Sequence, residues 1–327
     1  MSKSFWSGKK VLVTGGAGFV GSHVTEQLCA LGARVRVADD LSTGNLDYLS
    51  SVRDDIEFLE VDLRTPDGAA RAVQGQEVVL NLAGFIAGIG YNKDRQTAFF
   101  VNNMLLQQWP LLAARDAGVG LFAQISSACV YPYDVPVPTP EDAVEQGPPE
   151  ESNQGYGWGK RMGETLAQYV ARESEMPVAL LRFFNVYGPR DSFDPEKSHV
   201  IPSLINKCLS GEKIVDAWGS GNQTRSFVYV DDIAKLILQV TERQPAAEPI
   251  NIGTPTEITI RDLIHHIADI TRTKAEIRFD TSKPEGYLRR APDLTKLYEV
   301  LGREPDAISL RNGLERTVAY RQSQIQK

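Results

Sequence analysis

The chain has 327 residues, of which 42% are hydrophobic and 24% charged, and its formal net charge is −7. A chain of this length can form one large domain or two ordinary ones and can bury a core without help from disulfides or a metal. The composition excludes a disordered, collagen-like or coiled-coil chain, and the acidic balance without a basic stripe argues against nucleic acid as a partner.

Strand-like and helix-like segments alternate over the first 183 residues. Apolar runs predict strands at Lys9–Thr14, Ala33–Ala38, Ile56–Val61, Glu77–Leu82, Leu121–Ser126 and Val178–Phe183. Helical spacing of apolar residues predicts helices at Phe19–Leu31, Pro66–Val73, Thr97–Ala117 and Tyr156–Glu175. Near-continuously apolar strands that alternate with helices are typical of a parallel sheet covered on both faces. We therefore predict an α/β fold with a doubly wound parallel (Rossmann) sheet.

The pattern changes after Phe183, where shorter segments rich in proline and glycine follow. A later helix is predicted at Asp231–Thr241 and a strand at Pro249–Ile252. We predict a first domain over residues 1–183, joined by parts of 226–253. A second, smaller and discontinuous α/β domain is predicted over residues 184–327.

A glycine-rich turn follows the first predicted strand and opens the first helix. Gly15, Gly18 and Gly21 are spaced as G-x-x-G-x-x-G. Glycines at this place let backbone N–H groups approach a pyrophosphate, and the helix N-terminus adds partial positive charge. Because an acidic residue also ends the second strand, the pattern predicts a dinucleotide-binding site.

The acidic pair Asp39-Asp40 ends that second strand. Alternation along the strand selects Asp39 as the acceptor for the adenosine ribose hydroxyls. No Arg or Lys follows before Arg53, so a 2′-phosphate lacks an obvious cation and NAD is predicted as the cofactor rather than NADP. Two arginines precede the acid, Arg34 and Arg36, and they weaken that inference slightly.

Tyr156 and Lys160 lie four residues apart on one predicted helical face, downstream of Ser127 at the end of the fifth strand. A lysine beside a tyrosine favours the phenolate and lowers its pKa toward use as a general base. The carboxyl ends of parallel strands face the ligand crevice. These three side chains are therefore predicted to meet there.

With these residues in place, the chain resembles the extended short-chain dehydrogenase/reductase family, in the branch that acts on nucleotide sugars. The resemblance runs from about Lys9 to about Tyr320 and is carried by Thr14–Ser22, Ser126–Pro132, Tyr156/Lys160, Arg182–Arg190, Gln223–Asp232 and Asn251–Gly253. It implies a nicotinamide cofactor, a nucleotide-diphospho-sugar substrate and hydride transfer supported by the Ser–Tyr–Lys set. It also implies a homodimer that pairs through the helices matching Thr97–Ala117 and Tyr156–Glu175.

The predicted cofactor contacts are Gly15, Gly18, Phe19, Val20, Gly21, Asp39, Asp62, Leu63, Leu82, Ala83, Gly84, Asn102, Tyr156, Lys160 and Phe183. The predicted substrate contacts are Gly88, Ser127, Cys129, Asn185, Val200, Trp218, Arg225, Arg289 and Arg290. The resemblance implies that Asn185 contacts the substrate and that Arg225 and Arg289 hold the diphosphate. Arg290 is an equal candidate if the register slips by one residue.

The position two residues after Ser127 differs between reaction types in this family. The 4-epimerases tend to carry Thr or another small residue there, and the 4,6-dehydratases an Asp-Glu pair. Cys129 instead resembles GDP-mannose 3,5-epimerases and GDP-fucose synthases, as do the stretches Gly88–Gly90, Ser198–Pro202 and Trp218–Arg225.

Oxidation at C4 of a hexose acidifies the hydrogens at C3 and C5, and inversion there needs a base and an acid on opposite faces. A thiol and an imidazole both exchange protons near neutrality. We therefore predict Cys129 and His199 as the catalytic pair. Lys197 is the alternative to His199, because the mannose epimerase resembles this sequence at Glu196-Lys197 and uses a lysine, but free histidine titrates nearer pH 7.

The resulting prediction is an NAD-dependent isomerase that oxidises C4 transiently and inverts C3, C5 or both in a nucleotide-diphospho-hexose, with GDP-mannose-like sugars favoured. Three alternatives are a UDP-glucose-type 4-epimerase, a fucose-synthase-like epimerase-reductase that consumes NADPH, and a catalytically silent NAD-binding regulator. The nucleotide base, the sugar and the inverted carbon stay open at this stage.

The three cysteines, Cys29, Cys129 and Cys208, are odd in number and lack metal-ligand spacing. No disulfide framework and no metal site are therefore predicted, and a reducing compartment is expected. The first ten residues lack an apolar signal segment, and no apolar run is long enough to span a bilayer. A cytoplasmic protein without a membrane partner is the expectation.

Overall fold

A computed structural model describes residues 4–92, 94–243, 245–283 and 286–326. The strands are, in chain order, β1 (Lys10–Thr14), β2 (Arg34–Asp39), β3 (Ile56–Glu60), β4 (Val78–Asn81), β5 (Leu121–Ser127), β6 (Val178–Phe183), β7 (Val186–Tyr187), β8 (Ile214–Trp218), β9 (Thr224–Ser226), β10 (Val228–Tyr229), β11 (Ala246–Ile252), β12 (Glu257–Thr259), β13 (Glu276–Asp280) and β14 (Arg289–Arg290).

The α-helices are α1 (Phe19–Ala30), α2 (Pro66–Val73), α3 (Ile89–Asn92), α4 (Gln96–Asp116), α5 (Gln154–Ser174), α6 (Val200–Leu209), α7 (Val230–Arg243), α8 (Ile260–Thr271), α9 (Thr295–Leu301) and α10 (Leu310–Ile325). Short 3-10 helices span Leu46–Asp55, Ala128–Val130, Glu141–Gln146 and Glu151–Asn153.

The main sheet has seven strands in the order β11-β6-β5-β4-β1-β2-β3, and every neighbouring pair is parallel. Strands β1, β4 and β5 are almost wholly buried because helices cover both faces of the sheet. This arrangement confirms the predicted doubly wound parallel sheet, and each of the six strands predicted within the first 183 residues overlaps one of its strands.

Several later segments return to the main sheet. Strand β11 pairs with β6, and α7 buries Ile233, Ile237 and Val240 in the same core as residues of β1 and α1. Helix α9 buries Leu297 and Leu301 in that core too, although it lies outside the segment 226–253 that was predicted to return. Helices α6, α8 and α10 share a separate apolar core. The discontinuous division at residues 183/184 stays a prediction.

Parallel strands bring their carboxyl ends to one edge of the sheet. The glycine turn after β1, Asp39 at the end of β2 and Ser127 at the end of β5 therefore share that edge. The second lobe faces it. Within the described residues, no helix is both long and apolar enough to cross a membrane.

Candidate active site

The glycine turn at the start of α1 leaves no room for side chains. Gly15 has φ of +63°, and a Cβ there would lie 2.9 Å from the Cα of Ala83. A Cβ on Gly21 would overlap the carbonyl oxygen of Gly15. No side chain among the described residues caps the start of α1 at Gly18. The first N–H groups of the helix are therefore available to an anion, and the turn fits a pyrophosphate.

Asp39 ties the end of β2 to this turn. Its carboxylate accepts hydrogen bonds from the N–H of Ala17 at 3.0 Å and of Leu41 at 2.9 Å. Burial raises the pKa of Asp39, and the two N–H donors act in the opposite direction. An ionised carboxylate has about four acceptor positions. The group can therefore hold the turn and still accept ribose hydroxyls.

Arg64, which was not predicted as a site residue, lies near the acidic residues that follow β2 and β3. Arg64 forms two hydrogen bonds with Asp62, at 2.8 and 2.9 Å, and further ones with Asn102 at 2.9 Å and Asp40 at 3.3 Å. The guanidinium lowers the pKa of Asp62. Asp62 and Asn102, two of the predicted cofactor contacts, are thus brought together by Arg64, and both already have this partner. The side chain of Leu63 packs into the core, so only its backbone could reach a cofactor.

Hydrogen bonds from β1 and β4 hold the loop that follows β4. Thr14 donates to the Oδ1 of Asn81 at 2.7 Å and accepts from the N–H of Ala83 at 3.1 Å, which holds the predicted stretch Leu82–Gly84 against the glycine turn. Phe183 pairs in register with Ser127 at the same edge. Phe19 and Val20 each pack against the core of the second lobe.

Tyr156 and Lys160 project from the first two turns of α5 toward the end of β5. Tyr156 is buried and hydrogen-bonded to Ser127. The Nζ of Lys160 donates to the carbonyl of Ile125 at 2.9 Å and lies 5.9 Å from the Tyr156 ring centroid. The three side chains do meet.

The electrostatics of this set differ from the sequence-based expectation. Burial raises the pKa of Tyr156, and a negative charge on Cys129 would raise it further, while the Ser127 hydrogen bond and Arg290 lower it. Burial also lowers the pKa of Lys160 to about 7. Desolvation is therefore the largest influence on both groups, and the predicted depression of the tyrosine pKa is not found in the protein without ligands.

Cys129 lies in the turn directly after Ser127, whose Oγ accepts its N–H at 3.2 Å. Its side chain is half-buried beside Ala87 and Tyr156. The Sγ accepts a hydrogen bond from the Nδ2 of Asn153 at 3.1 Å. The sulfur therefore points toward the Ser–Tyr–Lys set and not into the packed interior.

His199 approaches from the second lobe, at the start of α6. Desolvation lowers its pKa, but the Asp191 carboxylate, 3.4 Å from its Nδ1, and a charge on Cys129 raise it, and the net shift is upward. His199 and Cys129 are thus within electrostatic reach across the cleft. Its side chain keeps 45% of its surface exposed, as expected for a group that faces an open cleft.

Gly88 is a contact between the lobes. Its N–H donates to the carbonyl of Lys197 at 2.9 Å, and a Cβ there would lie 2.7 Å from the carbonyl oxygen of Ser198. The Nζ of Lys197 lies over the Tyr91 ring, 5.7 Å from its centroid. Gly88 therefore positions the segment that carries His199, and Lys197 is directed to an aromatic ring.

The tandem arginines of β14 point in opposite directions. Arg289 binds Glu257 with contacts of 2.6 and 2.8 Å and donates to the carbonyl of Val137 at 2.9 Å. Arg290 lies over the Tyr287 ring at 4.6 Å and is hydrogen-bonded to Cys129. Side chains alternate along a strand. Arg290, and not Arg289, therefore faces the cleft, and of the two candidate arginines the structure brings Arg290 next to Cys129.

Arg225 lies beside Arg290, in register with it on β9. Desolvation and the neighbouring Arg290 lower the pKa of Arg225 to about 10. Two guanidinium groups held this close are a fit for a diphosphate, which would relieve their repulsion.

Three further predicted substrate contacts lie on other segments of the second lobe. The Nδ2 of Asn185 donates a hydrogen bond to the carbonyl of Ser226 at 2.8 Å. Val200 is half-buried at the start of α6, and Trp218 is 48% exposed at the end of β8. The Tyr133 ring stacks on the Tyr287 ring with the centroids 5.2 Å apart, Arg290 lies over Tyr287, and neither tyrosine was predicted as a site residue. Their sequence context carries no motif that could have identified them.

Comparisons with known proteins agree with this geometry. Residues 11–253 match the NAD-dependent epimerase/dehydratase family. The chain belongs to this family of NAD-dependent enzymes, which confirms the resemblance inferred from the sequence.

The chain is similar to curated relatives with different reactions. The chain is 31% identical to dTDP-4-dehydro-6-deoxy-D-allose reductase from Streptomyces bikiniensis, covering 98% of each chain. It is 31% identical to GDP-L-fucose synthase from Escherichia coli K12, over 96% of this chain and 97% of the relative. It is 28% identical to GDP-mannose 3,5-epimerase 1 from Oryza sativa subsp. japonica, over 99% and 85%.

Among solved structures, UDP-glucose 4-epimerase from Thermotoga maritima, with UDP-glucose, superposes with a TM-score of 0.87. The two chains are 31% identical, over 97% of this chain and 99% of that one. The fold and the broad enzyme class are thereby established, and the relatives divide between inversion and reduction.

Proposed function

We propose that the protein is an NAD-dependent nucleotide-sugar epimerase that oxidises C4 of a nucleotide-diphospho-hexose transiently and inverts C3, C5 or both. GDP-mannose-like sugars are favoured. The observation that carries the proposal is the position of the Cys129 sulfur, which lies beside Tyr156 and within electrostatic reach of His199 from the other lobe. A catalyst of C4 inversion alone has no use for this second pair.

At C4, Tyr156 would accept the hydroxyl proton as the phenolate and later return it. Burial raises its pKa in the protein without ligands, and the positive charge of the nicotinamide ring of bound NAD would favour the phenolate. Ser127 holds the oxygen through the hydroxyl that already contacts Tyr156. Lys160 is held by the Ile125 carbonyl below the tyrosine ring. Bound NAD would take up and give back the hydride at C4. The glycine turn and Asp39 are the groups that would hold it.

At C3 and C5, Cys129 and His199 exchange protons from opposite faces of the ring. The upward pKa shift of His199 favours imidazolium near neutrality, so this side chain is suited to donate a proton while Cys129 accepts one. His199 is preferred over Lys197, because the lysine side chain is directed to the Tyr91 ring. Arg225 and Arg290 would bind the diphosphate.

The test is solvent deuterium exchange into the sugar. Wild-type protein incubated with NAD and GDP-mannose in D₂O is expected to label C3, C5 or both. We expect Cys129→Ser to cut that labelling by about a hundredfold or more, the usual contribution of a general acid or base. Cys29→Ser, which changes a thiol in α1, is the matched control. Undiminished labelling in Cys129→Ser would refute the assignment.

Two other activities have specific support. The likeness to UDP-glucose 4-epimerase favours simple C4 inversion, which would place no solvent deuterium on carbon. The likeness to GDP-L-fucose synthase and the reductase favours net reduction, and Arg64 supplies a cation near the adenosine that NADP could use. Steady loss of nicotinamide absorbance during turnover would identify that reaction.

A homodimer through α4 and α5 is part of the proposal. Three apolar side chains on these helices, Val101, Met162 and Tyr169, are between 38% and 51% exposed. Exposed apolar side chains on adjacent helices are suited to a protein–protein contact.

A further inference from the structure

Two side-chain amides, of Asn92 and Asn153, form a row of hydrogen bonds that ends at the Cys129 sulfur. The mechanism proposed above does not use these two amides. Asn92 donates from its Nδ2 to the carbonyl of Ala87 at 3.0 Å and to the Oδ1 of Asn153 at 2.7 Å. Asn153 in turn donates from its own Nδ2 to the Sγ of Cys129 at 3.1 Å. Asn153 comes from the segment just before α5, and Asn92 from the end of α3.

The Ala87 carbonyl determines which atom of each amide donates and which accepts. The Ala87 carbonyl can only accept a hydrogen bond, so the amide nitrogen of Asn92 must face it. The second hydrogen on that nitrogen then requires the oxygen of Asn153 to face Asn92. The nitrogen of Asn153 is consequently left for the sulfur, and it can only donate there.

The arrangement carries a cost in free energy. Asn92 is 2% exposed, and its Oδ1 has no hydrogen-bond partner among the described residues. An unpaired buried amide oxygen destabilises the folded state. Asn153 stands at the N-cap position of α5, yet its side chain caps no N–H of the described helix. The helix therefore gains nothing from its amide.

We propose that Asn153 is a positioning residue that stabilises the thiolate of Cys129 and thereby assigns Cys129 as the base and His199 as the acid when C4 is oxidised. This role rests on the proposed epimerase function. A hydrogen bond donated to an anion is stronger than one donated to its neutral form. The amide therefore favours the form of the sulfur that accepts a proton.

Other groups also act on the sulfur, but their effect changes with their charge or with bound ligand. Arg290 is hydrogen-bonded to the sulfur, but it stands beside Arg225, and a bound diphosphate would compete for it. Charge on Cys129 also interacts with Tyr156, Lys160, His199 and Tyr287. Asn153 is neutral and hydrogen-bonded to Asn92, so its hydrogen bond to the sulfur does not require charge on these groups.

The test measures the sulfur directly. Alkylation by iodoacetamide depends on the thiolate, and its rate at Cys129 is followed by peptide mass spectrometry on the full-length protein at pH 7. Burial raises the pKa of Cys29 and Cys208 to about 11 each, so these two act as slow internal references. Asn153→Ala is expected to slow alkylation of Cys129 by roughly tenfold or more, the scale of a hydrogen bond to a charged group.

Asn153→Asp is expected to be slower still, because it replaces the donor with a carboxylate next to the sulfur. Asn312→Asp makes the same charge change on the exposed face of α10 and should leave the rate unchanged. If Asn153 only filled space, Asn153→Ala would expose the sulfur and speed alkylation. That outcome, or equal rates in all variants, would overturn the proposal.

Asn92→Ala provides a second route if an Asn153 variant does not fold. It frees the Asn153 amide to turn its oxygen toward the sulfur. We therefore expect alkylation of Cys129 to slow, but less than in Asn153→Ala. An unchanged alkylation rate would contradict the proposal that Asn92 orients Asn153. The alkylation rates need no sugar substrate. Absence of deuterium on carbon in the wild-type protein would therefore refute the proposed function without changing this measurement.

Discussion

At the residue scale, His199 shows how the second lobe can supply an acid near neutrality. Desolvation alone would favour the neutral imidazole of His199, but the Asp191 carboxylate stabilises the charged form. Asp191 is 4% exposed and is itself held by the N–H of Ser192 at 2.7 Å. A buried carboxylate thus favours the charged form of an exposed histidine.

This pairing predicts a pH effect. Replacing Asp191 by Asn removes the charge that favours imidazolium, so the pKa of His199 should fall. The alkaline limb of the deuterium-exchange profile should then move to lower pH by about one unit. Asp54→Asn, an exposed substitution far from the cleft, is the control. An alkaline limb that stays in place in Asp191→Asn would show that His199 is not the acid.

Residues at strand ends were the predictable part of the candidate site. Asp39, Ser127 and Tyr156 follow from strand and helix periodicity, and their positions in the structure agree with those inferences. Arg64 and Asn153 were missed because each acts through a contact between segments distant in sequence, which no local spacing encodes. Their roles depend on packing and not on a motif.

At the scale of single elements, the glycine turn and α1 form a unit whose geometry requires Gly21. Gly21→Ala would press a methyl group into the carbonyl of Gly15 and move the helix start away from the turn. We expect NAD affinity to fall by at least about tenfold, because the N–H groups at the helix start would be displaced from the pyrophosphate.

The matched control for that variant is Gly120→Ala. Its Cβ would lie 3.5 Å from the nearest atom, the Glu77 carbonyl oxygen, which is an ordinary contact. Titration calorimetry with NAD compares the two variants. Retained affinity in Gly21→Ala would mean that the turn only serves helix packing.

At the scale of the whole molecule, one buried ion pair connects several elements around the site. Arg182 on β6 is 1% exposed and binds Glu164 on α5 at 2.7 and 2.9 Å. It also donates to the Tyr131 hydroxyl at 2.9 Å and to the Glu141 carbonyl at 2.6 Å. Tyr131 continues the network to Asn251 on β11 at 2.6 Å.

Removing one partner of such a pair leaves a buried charge uncompensated. Arg182→Met is therefore expected to lower the free energy of unfolding by about 3–5 kcal/mol, measured by urea denaturation. Arg278→Met, which breaks the exposed contact with Glu276, should have no measurable effect. Equal stability of the two variants would show that the network contributes little.

The architecture as a whole was more predictable than the second lobe. The parallel sheet follows from six apolar strands and their intervening helices, which are repetitive signals. The second lobe is built from strands of two to five residues, such as β7, β9 and β14, whose pairing is set by tertiary contacts. Sequence periodicity cannot fix the register of a two-residue strand, and Arg289 and Arg290 stayed equal candidates for this reason.

That short strand has a consequence for how the protein tolerates changes in length. β14 consists of two consecutive arginines paired with β9, and only one of them faces the cleft. Insertion of one residue upstream would move Arg289 into the place from which Arg290 now faces the cleft. The second arginine thus preserves a guanidinium group beside Arg225 after such an insertion.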